Sequence, residues 1–454
     1  MSPPHRFRDP HQCLDVPSLS NSLSTEKTPD SESPATIMKI LFFCHYFPPE
    51  VNAPASRTYE HAVRWVKAGH DVTVVTCAPN CPDGVVFEGY RNQWRSQSKM
   101  VDGIRVVRVW TWLAPNKGTV GRILNYVSYM LSAVWSALWL PKPDVVVSTS
   151  PQFFCGWVGV WYHWFKRVPF VLEIRDIWPE SIAAVGALQK GLATRFLEWL
   201  ERRMYLAADQ IVTVGHGYRE QIAAKVPVGD RISVVMNGVD SDVFSPRPRD
   251  EAFLAKWNLT GKFVCSYVGT IGMAHGLEVV VRAAHTLKEQ GRDDIVFLIV
   301  GDGARREELQ RLATQEGVAS QIVFTGRMSR DQMPTVLASS DACLVHLRKT
   351  ELFETVVPSK IFETMAMGRP IIMGVRGESL AIVKDAGAAI EMEPESEADL
   401  VAALIRLADE PGLRTQLSSS AREYVMTHYH RDRQAVRMLE VLQRAMKSPY
   451  PQSV

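Results

Sequence analysis

At 454 residues, with 46% hydrophobic and 22% charged side chains, the chain has the composition of an ordinary globular protein long enough for two or three domains. A net charge of +2 gives no ground for a nucleic-acid partner, although it leaves room for local basic patches. Seven scattered cysteines without a CxxC pair point away from a structural zinc or a dithiol redox pair, and toward a reduced, intracellular compartment.

Residues 1–36 are rich in Pro, Ser, Asp and His and lack the apolar stretch of a secretory signal, so a disordered extension is expected over 1–37. Met38-Lys39-Ile40 reads as the start of the folded protein. Lys39–Cys44 is a short apolar strand, followed by the loop 45–53 and a helix carrying Arg57. That order, strand, small-residue loop, helix, opens a nucleotide-binding-like α/β half, although the loop has no GxGxxG pattern. Val72–Thr76 and Ile104–Val109 are further strands.

Residues 123–140 carry no charge and are about as long as a membrane span. Asn125, Ser128, Ser132 and Ser136 nevertheless form a polar stripe at helical spacing. Spanning would also separate the strand at 104–109 from the one at 145–147. A buried or interfacial helix is expected instead. Trp135, Trp139, Trp157, Trp161 and Trp164 suit either a lipid interface or a packed core.

The run Phe170–Ser181 places Glu173, Arg175, Asp176 and Glu180 at the C-terminal end of a strand, where open α/β sheets hold their ligands. An ion pair of Arg175 with a neighbouring carboxylate is the structural alternative. A helix near 195–206 and strands at 211–214 and 232–235 complete this half. Pro246, Pro248 and a burst of charges mark a boundary after residue 245. Strands at 263–268, 295–300, 322–325, 342–346, 370–373 and 388–390, with helices between, then imply a second parallel sheet. Glycine turns stand at Gly269–Gly272 and Gly301–Gly303. The segment from Pro358 to Gly374 reads as a helix start, a stop at Gly368 and Pro370, and a buried strand. Its open N–H groups and Lys360 suit a diphosphate, and Glu363 suits a ribose diol; a solvated lysine and a glutamate that only favours the helix dipole are the structural alternative. A helix is also expected from 421 to 446.

These pieces together resemble the retaining glycosyltransferases of the GT-B fold, family 4: the Pro-Pro-Glu loop at 48–50, Arg-Asp-Ile-Trp-Pro-Glu-Ser at 175–181, Asn237-Gly238-Val239-Asp240, Gly269 with Gly272, Gly301-Asp302-Gly303, and Pro358-Ser359-Lys360 with Glu363. The nearest subgroup resembles the bacterial O-antigen and capsule aminosugar transferases of the fucosamine type. The resemblance implies two Rossmann-like doubly wound domains, 38–245 for an acceptor and 246–425 for a nucleotide-sugar donor, closed by a helix and tail over 426–454. It implies donor contacts at Gly269, Gly272, Gly326, Arg327, Pro358, Ser359, Lys360 and Glu363. Acceptor contacts fall at Glu50, Arg57, Arg175 and Asp176, and Asp176, Glu180 and Lys360 are the candidate catalytic groups. A metal-independent reaction without a cofactor is expected, on a UDP-sugar and a lipid-linked glycan, in the cytoplasm or against the inner face of the plasma membrane. Two departures stand out. Thr355 occupies the place eight before Glu363 where the family has a glutamate, with Glu354 one position off, and Ala274-His275-Gly276 replaces an Arg and a Lys-Gly pair. Phosphate recognition then leans on Lys360, Gly272 and the helix terminus. A UDP-sugar 2-epimerase and a non-catalytic subunit of a polysaccharide-assembly complex are the alternative readings.

Overall fold

The computed structural model describes residues 37–115, 119–150, 152–180 and 191–447. The extension expected over 1–37 lies outside the described residues except for Ile37, as does Ser181 of the 175–181 run. From Met38 the chain forms β1 (Lys39–Phe43), α1 (Ala53–Lys67), β2 (Asp71–Cys77), β3 (Gln97–Val101), β4 (Ile104–Val109), α2 (Thr119–Leu138), β5 (Val145–Thr149), α3 (Phe153–Lys166), β6 (Phe170–Ile174), α4 (Leu192–Ala207), β7 (Gln210–Thr213), α5 (His216–Lys225) and β8 (Ile232–Val234). These strands make one sheet in the order β3-β4-β2-β1-β5-β6-β7-β8. All neighbours are parallel except the edge strand β3, which runs antiparallel to β4.

The chain continues through α6 (Glu251–Lys256), β9 (Phe263–Val268), α7 (Glu278–Glu289), β10 (Ile295–Val300), α8 (Arg306–Gln315), β11 (Ile322–Gly326), α9 (Met333–Ala338), β12 (Ala342–His346), α10 (Lys360–Ala366), β13 (Ile371–Gly374), α11 (Glu378–Asp385), β14 (Ala389–Glu391), α12 (Glu397–Asp409), α13 (Pro411–His428) and α14 (Arg431–Lys447). Its six strands form a second, wholly parallel sheet in the order β11-β10-β9-β12-β13-β14. Each sheet is covered on both faces, which is why its inner strands read as continuous apolar runs. In β1, Leu41 and Phe43 join the core under α2, α3 and α4, while Ile40 and Phe42 pack with Trp65 of α1 and Met438 of α14.

The last helix differs from the expectation of one segment over 421–446. The chain breaks at Tyr429–His430, and α14 returns to the first sheet, where Met438, Val441 and Leu442 are buried. Each such side chain contributes roughly 1.5–3 kcal/mol. At the crossing, the Val239 amide donates to the Tyr429 carbonyl (2.9 Å) and the Arg431 amide to the Val239 carbonyl (3.0 Å).

Among the described residues no helix is long and apolar enough to cross a membrane. Helix α2 buries Tyr129, Ala133 and Ala137 against the sheet. Its polar stripe does local work: the Asn125 amide donates to the Trp112 carbonyl (2.6 Å), and Ser128 Oγ accepts from the Trp112 amide (2.8 Å). Of the five tryptophans, Trp157 is buried and Trp161 half-buried, whereas Trp135, Trp139 and Trp164 are exposed.

Candidate active site

A cavity of about 450 Å³ lies between the two sheets, at the C-terminal ends of β6 and β9. Ligands of doubly wound sheets bind at such ends. The first lobe contributes Asn52, Ser56, Arg57, Glu60, His61 and Arg175, and the second contributes Gly269, Thr270, His275, Arg330 and the run Pro358-Ser359-Lys360 with Glu363.

Lys360 begins α10, a seven-residue helix whose preceding Ser359 makes no side-chain capping bond. Gly368, at φ +61, ends it in the left-handed conformation that glycine adopts without strain. The Lys360 ammonium lies 4.1 Å from the centre of the Tyr267 ring, close enough for a cation–π contact. Tyr267 in turn donates its hydroxyl to the Thr270 carbonyl (2.8 Å), pinning the loop beside it. A Cβ on Gly269 (φ +147) would fall 2.9 Å from Lys360 Nζ, so glycine keeps that position open. Burial lowers the Lys360 pKa to about 8 against the opposing pull of Glu363. Glu363 faces the same cavity one turn later; burial raises its pKa although Arg431 and Arg330 oppose the rise. Glu60 of α1 pairs with Arg330 (2.6 Å) and with Arg431, so an acid of one lobe gathers two cations of the other elements beside the cavity.

Arg175 faces them from the end of β6. Its Nε and Nη1 are buried and meet no protein acceptor among the described residues, and burial lowers its pKa to about 10. His61 is buried neutral at about 3, chiefly by desolvation, with Arg57 adding to it. His275, in the Ala274-His275-Gly276 turn, is held at about 4 by burial and by Lys360.

The structure distributes the other expected site residues differently. Arg57 touches the cavity, but its donors are engaged: Nε bonds Glu173 (2.8 Å), Nη1 the Met236 carbonyl and Asn237, and Nη2 the Val235 carbonyl. It is a strut between β6 and the chain leaving β8. Burial alone would raise the Glu173 pKa, yet Arg57 and Arg175 hold it at about 2. Glu50 does not reach the cavity; its carboxylate accepts from the Phe47, Asn80 and Cys81 amides and ties two loops together. Glu180 is turned to Lys225 (2.5 Å), which also holds Glu201, so it is not brought to Lys360. Asp176 does not line the cavity either, and its charge falls near Tyr205 and Tyr218.

Gly272 lines a smaller, separate pocket with Glu278 and Arg305. Gly326, at φ +76, accepts from the Gly301 amide (2.9 Å), and Arg327 is exposed. At Gly301 a Cβ would fall 1.8 Å from the Gly269 carbonyl oxygen; its glycine therefore serves close packing of two turns rather than ligand approach. Neither member of the displaced glutamate position lines the cavity: Thr355 meets Gln221 (3.4 Å), and Glu354 is exposed. Sequence reasoning missed Tyr267, His61, Arg330 and Arg431. The tyrosine, two residues before Gly269 at a strand end, carried a usable signal; the others converge from distant segments and carried none.

A family model described as "Glycosyl transferase 4-like domain" matches residues 52–238, and one described as "Glycosyl transferases group 1" matches 250–424. The two models divide where the two sheets divide. The chain belongs to the family 4 glycosyltransferases of the GT-B fold. Among relatives of this transferase, an Escherichia coli K12 protein named as a colanic acid biosynthesis glycosyl transferase, WcaI, is 28% identical over 81% of this chain and 91% of its own. A GDP-mannose-dependent alpha-mannosyltransferase of Mycolicibacterium smegmatis is 27% identical over 74% of this chain and 79% of its own. Two solved structures share the transferase fold at low identity. HepE of Anabaena, in complex with UDP and glucose, has a TM-score of 0.68 at 15% identity over 89% of this chain and 99% of its own. WaaG, a glycosyltransferase involved in lipopolysaccharide biosynthesis, has 0.64 at 17% identity over the same shares.

Proposed function

We propose that this glycosyltransferase moves a sugar, with retention at the anomeric carbon, from a UDP-sugar to a lipid-linked glycan during surface polysaccharide synthesis. An N-acetylated aminosugar is the proposed donor sugar. The observation that carries the reading is the convergence of Lys360, Glu363 and Arg175, whose Nε and Nη1 meet no protein acceptor among the described residues, on one interlobe cavity. Breaking the bond from the anomeric carbon to phosphate leaves negative charge on the diphosphate. Lys360, held over Tyr267, and the Gly269–Thr270 turn beside it meet that charge, and one fixed donor of this kind lowers a barrier by about 3 kcal/mol. The acceptor hydroxyl forms its bond from the leaving-group face and passes its proton to a phosphate oxygen, so no separate protein base is needed. Glu363 takes the ribose hydroxyls, and Ser359 and Pro358 close the cavity beneath the phosphates. Arg175 orients the acceptor or its phosphate from the opposite lobe. Cations and amide dipoles take the place a metal would otherwise hold in this step. The polysaccharide assignment follows the name of WcaI, a colanic acid biosynthesis glycosyl transferase, and a peripheral place at the inner membrane face goes with the proposed lipid-linked acceptor.

The test is release of free nucleotide from a panel of UDP- and GDP-sugars in the presence of extracted lipid-linked glycans. A UDP-sugar is expected to turn over, with Lys360→Ala at least about tenfold slower. Turnover confined to GDP-sugars would overturn the donor assignment, and undiminished activity in Lys360→Ala would remove that lysine from the reaction.

A further inference from the structure

Helices α2, α3 and α4 cover the same face of the first sheet and pack side by side, and each exposes large apolar side chains. Trp135 is 66% exposed, Trp139 76% and Phe165 64%, and Leu131 of α2 and Phe196 and Trp199 of α4 are exposed as well. Neighbouring rings touch one another, Trp135 edge-on to Trp139 at 5.9 Å and Phe196 stacked on Trp199 at 5.9 Å. An aromatic surface spread over three helices exceeds what scattered exposed residues explain and marks an interaction face.

The charges around this face choose the partner. Helices α2 and α3 contain no acid, and their charges are Arg122 and Lys166, with Arg167 and Lys142 exposed just beyond the helix ends. Helix α4 exposes Arg195, Arg202 and Arg203, the last 5.7 Å from the Trp199 ring centre. The nearby acids are largely spoken for: Asp144 accepts from the Lys39 amide (2.7 Å), Glu201 is buried on Lys225, and Glu198 stands among the α4 arginines. Indoles favour the water–lipid boundary, and arginines and lysines rimming them favour anionic headgroups. A second protein copy would meet the same cations and be repelled.

We infer that the α2–α3–α4 face seats on the surface of an anionic lipid bilayer, the aromatic rings entering the headgroup boundary and the basic rim meeting lipid phosphates. The inference deepens the proposed function, since a lipid-linked acceptor would then be met at the membrane plane. It is read independently of sugar transfer.

The experiment is flotation of the full chain with phosphatidylethanolamine–phosphatidylglycerol vesicles and with phosphatidylcholine vesicles. The protein is expected to float with the anionic vesicles, less with the neutral ones, and less again as salt rises. Trp135→Ser with Trp199→Ser should weaken partition at least about tenfold, and Arg202→Glu with Arg203→Glu by a similar factor, at unchanged thermal midpoints. Failure of the wild type to float, or flotation untouched by both double variants, would overturn the inference. So would a stable dimer in solution that the tryptophan variant dissociates, because a second copy would then cover the face. Flotation without nucleotide release would leave this inference standing and refute the proposed reaction instead.

Discussion

Replacing Lys360 by methionine should make the ligand-free protein more stable while it removes activity. The fall of the Lys360 pKa from its ordinary 10.5 to about 8 corresponds to about 3 kcal/mol of penalty on the charged form, caused mainly by burial. The contact with the Tyr267 ring returns about 1–2 kcal/mol of that. Methionine fills similar space without the charge, so a net gain of about 1–2 kcal/mol is expected at pH 7, or roughly 2–8 °C in the midpoint of the second lobe. The pH dependence has a definite sign. Below about pH 8 the lysine is charged in both states and the full penalty acts. Between about 8 and 10.5 the unfolded chain keeps a proton that the native one has lost, so wild-type stability rises with pH. The gap to Lys360→Met should therefore be widest below pH 8 and close by pH 10.5. Saturating UDP should reverse the order, since a ligand bound by the native wild type alone adds about 2.7 kcal/mol at a hundred times its Kd. Thermal unfolding of both proteins across pH, with and without UDP, decides the matter. A ligand-free variant less stable than wild type at pH 7 would refute the reasoning, as would a gap that ignores pH.

Gly269→Ala puts a Cβ 2.9 Å from Lys360 Nζ and should slow nucleotide release at least about tenfold in a folded protein, whereas Gly301→Ala, with its Cβ 1.8 Å from the Gly269 carbonyl oxygen, should chiefly lower the unfolding midpoint. Arg57→Met leaves Glu173 charged and buried without its ion-pair partner and should cost about 3–5 kcal/mol in denaturant unfolding. Because Glu173 is held at about 2, its stabilisation is complete above pH 4.5 and fades as the pH falls from there toward 2; Glu173→Gln should lack that acid segment of the stability curve. Glu180→Gln and Asp176→Asn should each keep UDP binding by calorimetry and alter turnover by less than about threefold, and a loss beyond about tenfold in either would bring that carboxylate back into the reaction.

Most of the strands were legible because a parallel sheet covered on both faces demands short, continuous apolar runs, and β9, β10 and β12 show them plainly. Strand β3 escaped because Gln97–Met100 are exposed and carry neither alternation nor an apolar run; only its pairing with β4 makes it a strand. The break at Tyr429–His430 escaped because α13 and α14 bury faces against different sheets, which helical periodicity alone does not report. In the site, Lys360 and Glu363 were readable because three-residue spacing places both on one side of a short helix. Glu50, Arg57 and Glu180 had the right chemistry at the right strand ends, but a sequence does not disclose which charges are already satisfied. The amides of residues 80–81, the carbonyls of 235–236 and Lys225 come from other segments and take those side chains up.

The chain passes between its lobes twice, once after β8 and once before α14, and the two passages are bonded to each other through Val239, Tyr429 and Arg431. A body joined to another by one strand can swivel freely, but two strands clipped together act as a door hinge with a set axis. Opening about it would part Glu60 from Arg330 while Arg57 still held β6 to residues 235–237, so every reclosure would return Arg175 toward Lys360 along one path. The final helix thus makes the lobes' meeting repeatable, and cutting the chain at residue 429 would uncover a core in the lobe it left first.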